Sequence, residues 1–108
     1  MKRDVFNAIA DPTRRSILIS LMDKPKKVNT IAEQFDITRQ AVSLHIRYLQ
    51  ECGAIKVEKV GRERFCNIEV RTLEEVAHWI EPFRKMWEGK LNKLEHLLDE
   101  MRSETKLK

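Results

Sequence analysis

The sequence predicts a mostly α-helical fold carrying one small β-hairpin. Three observations carry that expectation. Glycine and proline number only three each in 108 residues, too few for a fold made of many turns. Apolar residues recur at steps of three and four along most of the chain, the period of an amphipathic helix. A single pair of alternating β-branched segments, 55–60 and 64–70, flanks Gly61.

The elements follow in order. Val5, Phe6 and Ile9 make one or two helical turns. Asp11-Pro12 then opens a second helix. The carboxylate of Asp11 can accept from the first free amides, and Pro12 suits a first helical position because its missing N–H had no partner there. Ile17, Leu18, Leu21 and Met22 form the expected buried stripe, and Asp23-Lys24-Pro25 ends the helix. Asn29 is the expected cap of a third helix, with Ile31, Ala32 and Phe35 turned inward. Asp36-Ile37 makes a short turn, and Thr38 caps a fourth helix reaching about Cys52, buried through Val42, Ile46 and Leu49. Gly53 lies just past its end, where a left-handed backbone is wanted. Two helices joined by a tight turn, the second longer than the first, form a helix-turn-helix pattern. After the hairpin, Thr72-x-x-Glu75 fits a capping box. A long helix follows on Leu73, Val76, Ile80, Phe83, Trp87, Leu91, Leu94, Leu98 and Met101, with Pro82 expected to kink or break it. The whole reads as one domain, 1–108, made of a winged helix-turn-helix core, 5–70, and a terminal helix, 72–101.

Composition narrows the function. Hydrophobic residues are 42% and charged residues 35%, enough for a core and too apolar for disorder. No apolar run approaches the roughly 18 residues of a membrane span, and no apolar segment of an export signal follows the charged start. Two cysteines do not make a disulfide framework, so the cytoplasm is the expected compartment. Residues 1–71 carry 14 Lys/Arg against 9 Asp/Glu, net +5, whereas 72–108 are net −1. A basic front and a near-neutral back point to a polyanion partner for the front alone.

The fourth helix offers the chemistry for one. Opposite Val42 and Ile46 it carries Arg39, Gln40, Ser43, Leu44 and Arg47, mostly donors of the kind that read base edges or phosphates. A solvated helix face would look the same. The hairpin tilts the balance, because Lys59, Arg62 and Arg64 surround its turn and make a basic wing. Glu63 among them tempers the field. No phosphate loop or nucleophile signature accompanies these residues, so an enzyme is not expected and no cofactor is implied. Trp79, Phe83, Trp87, Leu91, Leu94 and Leu98 exceed what a small core needs, and aromatic anchors dominate interfaces. Together with Val5, Phe6 and Ile9 they are the expected homodimer surface.

The runs Asp11-Pro12-Thr13-Arg14-Arg15-x-Ile17-Leu18, Ile37-Thr38-Arg39-Gln40-Ala41-Val42-Ser43-x-His45-Ile46-x-x-Leu49, Cys52-Gly53-Ala54-Ile55 and Gly61-Arg62 resemble the arsenic-repressor (ArsR-type) winged-helix regulators. The spacing of Trp79, Phe83, Trp87, Leu91 and Leu94 is similar to a branch lacking the metal sites, and the resemblance spans about Val5 to Leu98. It implies a homodimeric repressor of transcription that binds double-stranded DNA. The matching positions imply that Thr38, Arg39, Gln40, Ser43, His45 and Arg47 line the DNA-facing helix and that Arg62 and Arg64 sit on the wing. Cys66 stands where the family often has tyrosine, and Cys52 where a small residue is usual.

Many relatives sense metals through a Cys-x-Cys pair on the third helix. Here that helix has neither thiolate nor imidazole, so the ligands are missing. His96-x-x-Asp99 is half of a second family pattern, but Phe83 and Lys85 cannot complete it and His78 has the wrong spacing. Cys52 and Cys66 read as buried structural thiols. Two other functions remain open at this point: a winged-helix protein-interaction module, and a thiol- or metal-responsive sensor of the same fold. Lys24, Lys26 and Lys27 read as a solvated charge run, and Arg14 and Arg15 as anchors of the second helix through salt bridges. Neither the operator nor an effector can be read from the residues.

Overall fold

Asp4 opens the first helix of the computed structural model, which describes residues 3–106. Its carboxylate accepts from the amides of Phe6 and Asn7, while the Asn7 side chain accepts from the Asp4 amide. This reciprocal cap opens α1, Val5–Ala8. Asp11 caps α2, Pro12–Ser20, through the Arg14 amide at 3.0 Å, with proline in the first turn as its chemistry favours. Ile17, Leu18 and Leu21 are buried. Met22 is 72% exposed, so it does not join their stripe: the helix has ended by Ser20, and the helical period no longer governs where Met22 points.

A two-residue strand, β1, Lys26–Lys27, comes next where a solvated charge run was expected. Its side chains are anchored. The Lys26 ammonium donates to the Ser20 carbonyl and lies 3.5 Å from Asp23, and Lys27 pairs with Glu63 at 2.8 Å. The third helix, α3, spans Val28–Gln34. Lys27 is its N-cap without a side-chain bond, so Asn29 lies inside the helix and is not its cap. The chain enters α3 directly from a paired strand, which fixes the start earlier than a capping side chain at Asn29 would.

Thr38 caps α4, Arg39–Glu51, by accepting from the Ala41 amide at 3.1 Å. The helix closes with two bonds, Ala54 N–H to the Leu49 carbonyl and Gly53 N–H to the Gln50 carbonyl. That pair is a Schellman motif, and Gly53 takes the φ of +76° that it requires. The hairpin is β2, Ile55–Val60, and β3, Glu63–Ile68, with Gly61 at φ +64° in the turn. β3 lies centrally in an antiparallel sheet of order β1-β3-β2, registered through Lys26↔Cys66 and Val57↔Cys66. The sheet therefore has three strands and not two. β3 stops at Ile68, and Val70 belongs to the next helix.

The core of this unit, which runs to Val76, joins Ile17, Leu18 and Leu21 of the α2 segment to Ile31 of α3, Val42, Ile46 and Leu49 of α4, and Ile55 and Cys66 of the sheet. Tyr48 of α4 holds it to the start of the chain. The guanidinium groups of Arg3 and Arg14 each lie 4.0 Å from its ring centroid. Arg14 also donates to the carbonyls of Ala8 and Asn7, and Arg15 donates to that of Ile9. Arg14 and Arg15 thus secure α1 through its open carbonyl end, not through salt bridges.

The final helix, α5, spans Val70–Lys106. It begins two residues before Thr72, so Thr72 is internal and not a cap. It continues through Pro82 without a break. Beyond Val76 it forms a second unit of its own. Arg84 bridges Glu81 and Glu88 there, and the Trp79 and Phe83 rings meet at a 46° tilt with centroids 5.0 Å apart.

The caps have a measurable worth. Thr38→Ala should cost about 1 kcal/mol in urea unfolding. The backbone amide of Arg14 holds the Asp11 carboxyl below its ordinary 3.8. A lowered folded-state value stabilises the protein above the unfolded value and loses that contribution as pH falls through the folded one. The stability gap between wild type and Asp11→Ala should therefore be constant above about pH 5 and narrow below about pH 4. A gap that widened in acid would contradict the cap.

Candidate nucleic-acid interface

Burial decides which side of α4 faces out. Val42, Ile46 and Leu49 are 0–5% exposed, which turns Arg39, Gln40, Ser43, Leu44 and Arg47 to solvent. The hairpin and the start of α3 then enclose an open cleft of about 410 Å³ beside them. Arg39, Ser43 and Arg47 line one wall, and Lys59, Arg62 and Arg64 line the other. Lys27, Asn29 and Gln50 complete it, three residues that sequence reasoning missed. Gln50 could have been found, since it follows Arg47 by three on the same helical face. Lys27 and Asn29 could not, because only sheet pairing carries them there.

The cleft gathers six cations, Lys27, Arg39, Arg47, Lys59, Arg62 and Arg64, against the single carboxylate of Glu63. Among the described residues, no hydrogen bond or ion pair engages the side chains of Arg39, Arg47, Lys59, Arg62 or Arg64, and all five are exposed. Lys27 is the exception, held by Glu63 and lying 5.9 Å from the Phe65 ring centroid. Unpaired guanidinium groups cost least to desolvate against an anion they can meet through two parallel bonds. A duplex, with one negative charge per about 1.7 Å of axis, is a polyanion of that chemistry.

Other expected residues lie elsewhere. The Thr38 oxygen is engaged by the Ala41 amide. His45 is half-buried, its Nδ1 4.0 Å from Asp11, so it braces α4 against the cap of α2. Val5 is 1% exposed and is already covered by its own chain, which leaves it no area for a dimer contact, whereas Phe6 and Ile9 are half-buried. Trp79, Phe83, Trp87, Leu91, Leu94 and Leu98 are 42–61% exposed along α5.

The thiols are poorly placed for sensing. Cys52 and Cys66 are unbridged and 5% and 0% exposed. Burial raises both, Cys66 to about 11, the opposite of the low value that a reactive thiolate needs. His96 pairs with Glu100 at 3.1 Å and not with Asp99. Among the described residues, no three His, Cys, Asp or Glu side chains are grouped to hold a metal.

Comparison with known proteins gives a consistent picture. The family described as bacterial regulatory protein, arsR family, matches residues 11–57. The transcriptional repressor SdpR of Bacillus subtilis (strain 168) is 31% identical over 77 residues, 71% of this chain and 86% of SdpR. A solved ArsR family transcriptional regulator is 37% identical, with a TM-score of 0.66 over 78% of this chain and 87% of that one. An ArsR-like transcriptional regulator from Rhodococcus sp. RHA1 is 30% identical, with a TM-score of 0.64 over 86% and 88%.

Two measurements test the site. Arg62→Ala and Arg64→Ala should each lower the slope of log affinity against log salt, by about 0.9 for every phosphate left without its cation. Native protein should resist a disulfide reagent at mildly alkaline pH, and both thiols should react once it is unfolded. Fast native reaction would mean that a thiolate is exposed.

Proposed function

The chain belongs to the arsR family of bacterial regulatory proteins, and from that premise we propose that it represses transcription as a homodimer seated on an inverted-repeat operator. It is a DNA-binding transcriptional regulator of winged-helix type, not an enzyme. The observation that carries the finer reading is the convergence of Arg39 and Arg47 with Lys59, Arg62 and Arg64 on one cleft, unpaired and exposed.

Roles follow from position. Arg39, Gln40 and Ser43 occupy the first half of α4, the part of a recognition helix that meets base edges in the major groove. Arg39 suits guanine through two acceptors, and Gln40 suits adenine. Arg47 and the wing cations suit phosphates, which fix register without reading sequence. Thr38 and His45 support the helix, one through its cap and the other through Asp11. The region 5–70 reads DNA and the helix 72–101 pairs two copies. Trp79, Phe83, Trp87, Leu91, Leu94 and Leu98, an unbroken stripe of large apolar side chains, supply the pairing surface, and the half-buried Phe6 and Ile9 of the first unit offer apolar area of their own. Exposed patches of this kind mark association surfaces. A two-fold pair would set its recognition helices roughly 34–36 Å apart, one turn of duplex. A repressor needs nothing further than occupancy of promoter DNA.

The test is a selection for duplexes retained by the purified chain, followed by variants. Wild type should retain an inverted repeat. Arg39→Ala with Arg47→Ala should abolish retention and leave the dimer intact. Leu91→Glu or Leu94→Glu should give a monomer in sedimentation velocity and lose tight binding. A dimer that persists in both would place the pairing surface elsewhere. A chain that retains no duplex would overturn the reading.

A further inference from the structure

We infer that Leu44 is a specificity-determining residue that reads the C5-methyl group of a thymine in the operator; the inference rests on α4 being the helix that meets bases. Leu44 is 64% exposed in the middle of the polar face. With Arg39, Gln40, Ser43 and Arg47 it lines a shallow depression on the outer side of α4. Gln40 lies one turn before it and Arg47 three residues after, so Leu44 is flanked along the helix by groups that bond to bases or phosphates. It cannot stay in solvent if those neighbours bind.

What it meets is constrained. In the major groove the edges of guanine, cytosine and adenine present acceptors and amino groups. An isobutyl group pressed on any of these would strip water from polar atoms and give no bond in return. Thymine alone offers a methyl group there. Gln40 points the same way, because an amide side chain suits the adenine of an A·T pair. The helix therefore carries an apolar reader and an amide reader side by side, which calls for an A·T pair under Gln40 and Leu44.

The test uses the full chain and a duplex selected from a randomised library. Each thymine is replaced in turn by deoxyuridine, which removes the methyl group and keeps every hydrogen-bonding atom. Wild type should lose roughly fourfold in affinity at one thymine per half-site, the worth of one buried methyl group. Leu44→Ala, a favourable substitution on an exposed helix face, should bind the parent duplex more weakly and be indifferent to that replacement. Arg39→Ala should bind weakly yet keep the deoxyuridine effect. Equal losses in wild type and Leu44→Ala, or no loss at any thymine in wild type, would overturn the assignment while leaving DNA binding intact. A library that yields no retained duplex would instead remove the function on which it rests.

Discussion

The structure depends on the burial of one stripe of α4. Val42, Ile46 and Leu49 are enclosed by the segments of α2 and α3, and a helix that hides one stripe has no freedom over the other. Each fully buried Val, Leu or Ile side chain is worth about 1.5–3 kcal/mol. Turning α4 far enough to hide Arg39 and Arg47 would forfeit several such side chains and bury unpaired cations as well. The outward direction of the polar face is therefore enforced by apolar packing, not by any contact that the polar residues make. The cap at Thr38 and the Schellman closure at Gly53 set where the stripe begins and ends.

The same logic explains the surrounding ties. Tyr48 receives two guanidinium groups because it sits half-buried at the edge of the buried stripe, where both can reach its ring. Arg14 uses its remaining donors on the carbonyls that α1 leaves open, so one side chain joins α1, α2 and α4. His45 and Asp11 add a second tie between α4 and α2. None of these ties draws on the cations of the cleft, so the helix is held firmly while Arg39 and Arg47 stay uncommitted.

How much of this was legible depended on whether the information was local. The caps at Asp11 and Thr38, the stripe of α4, that of α2 as far as Leu21, and the glycine turn at Gly61 are set by nearest neighbours and could be read directly; Met22, past the helix end, could not. β1 could not. Two lysines carry no strand pattern, and they pair with β3 because the fold brings their backbone alongside Phe65 and Cys66. The same displacement misplaced the cap at Asn29 and kept Lys27 and Asn29 out of the expected set of DNA-facing residues. The helix start at Val70 was missed for a related reason: Val70 continues the apolar alternation of β3, and the backbone changes form within one residue of the strand's end at Ile68. Val5 looked like surplus surface because apolar character does not reveal which partner covers it.

The short strand also divides the hairpin mechanically. β1 pairs with β3 at Phe65 and Cys66, so the root of the wing is braced on both sides, whereas the outer portion from Val60 to Arg64 is a two-stranded ribbon tied to β1 through the Lys27–Glu63 ion pair. Inserting one residue near Cys66 would flip the alternation of the strand and expel a packed side chain. Lengthening the tip beside Gly61 disturbs no packing at all. The reach of this arm is thus an adjustable dimension on a packed mount, and drift in length there would leave the fold unchanged.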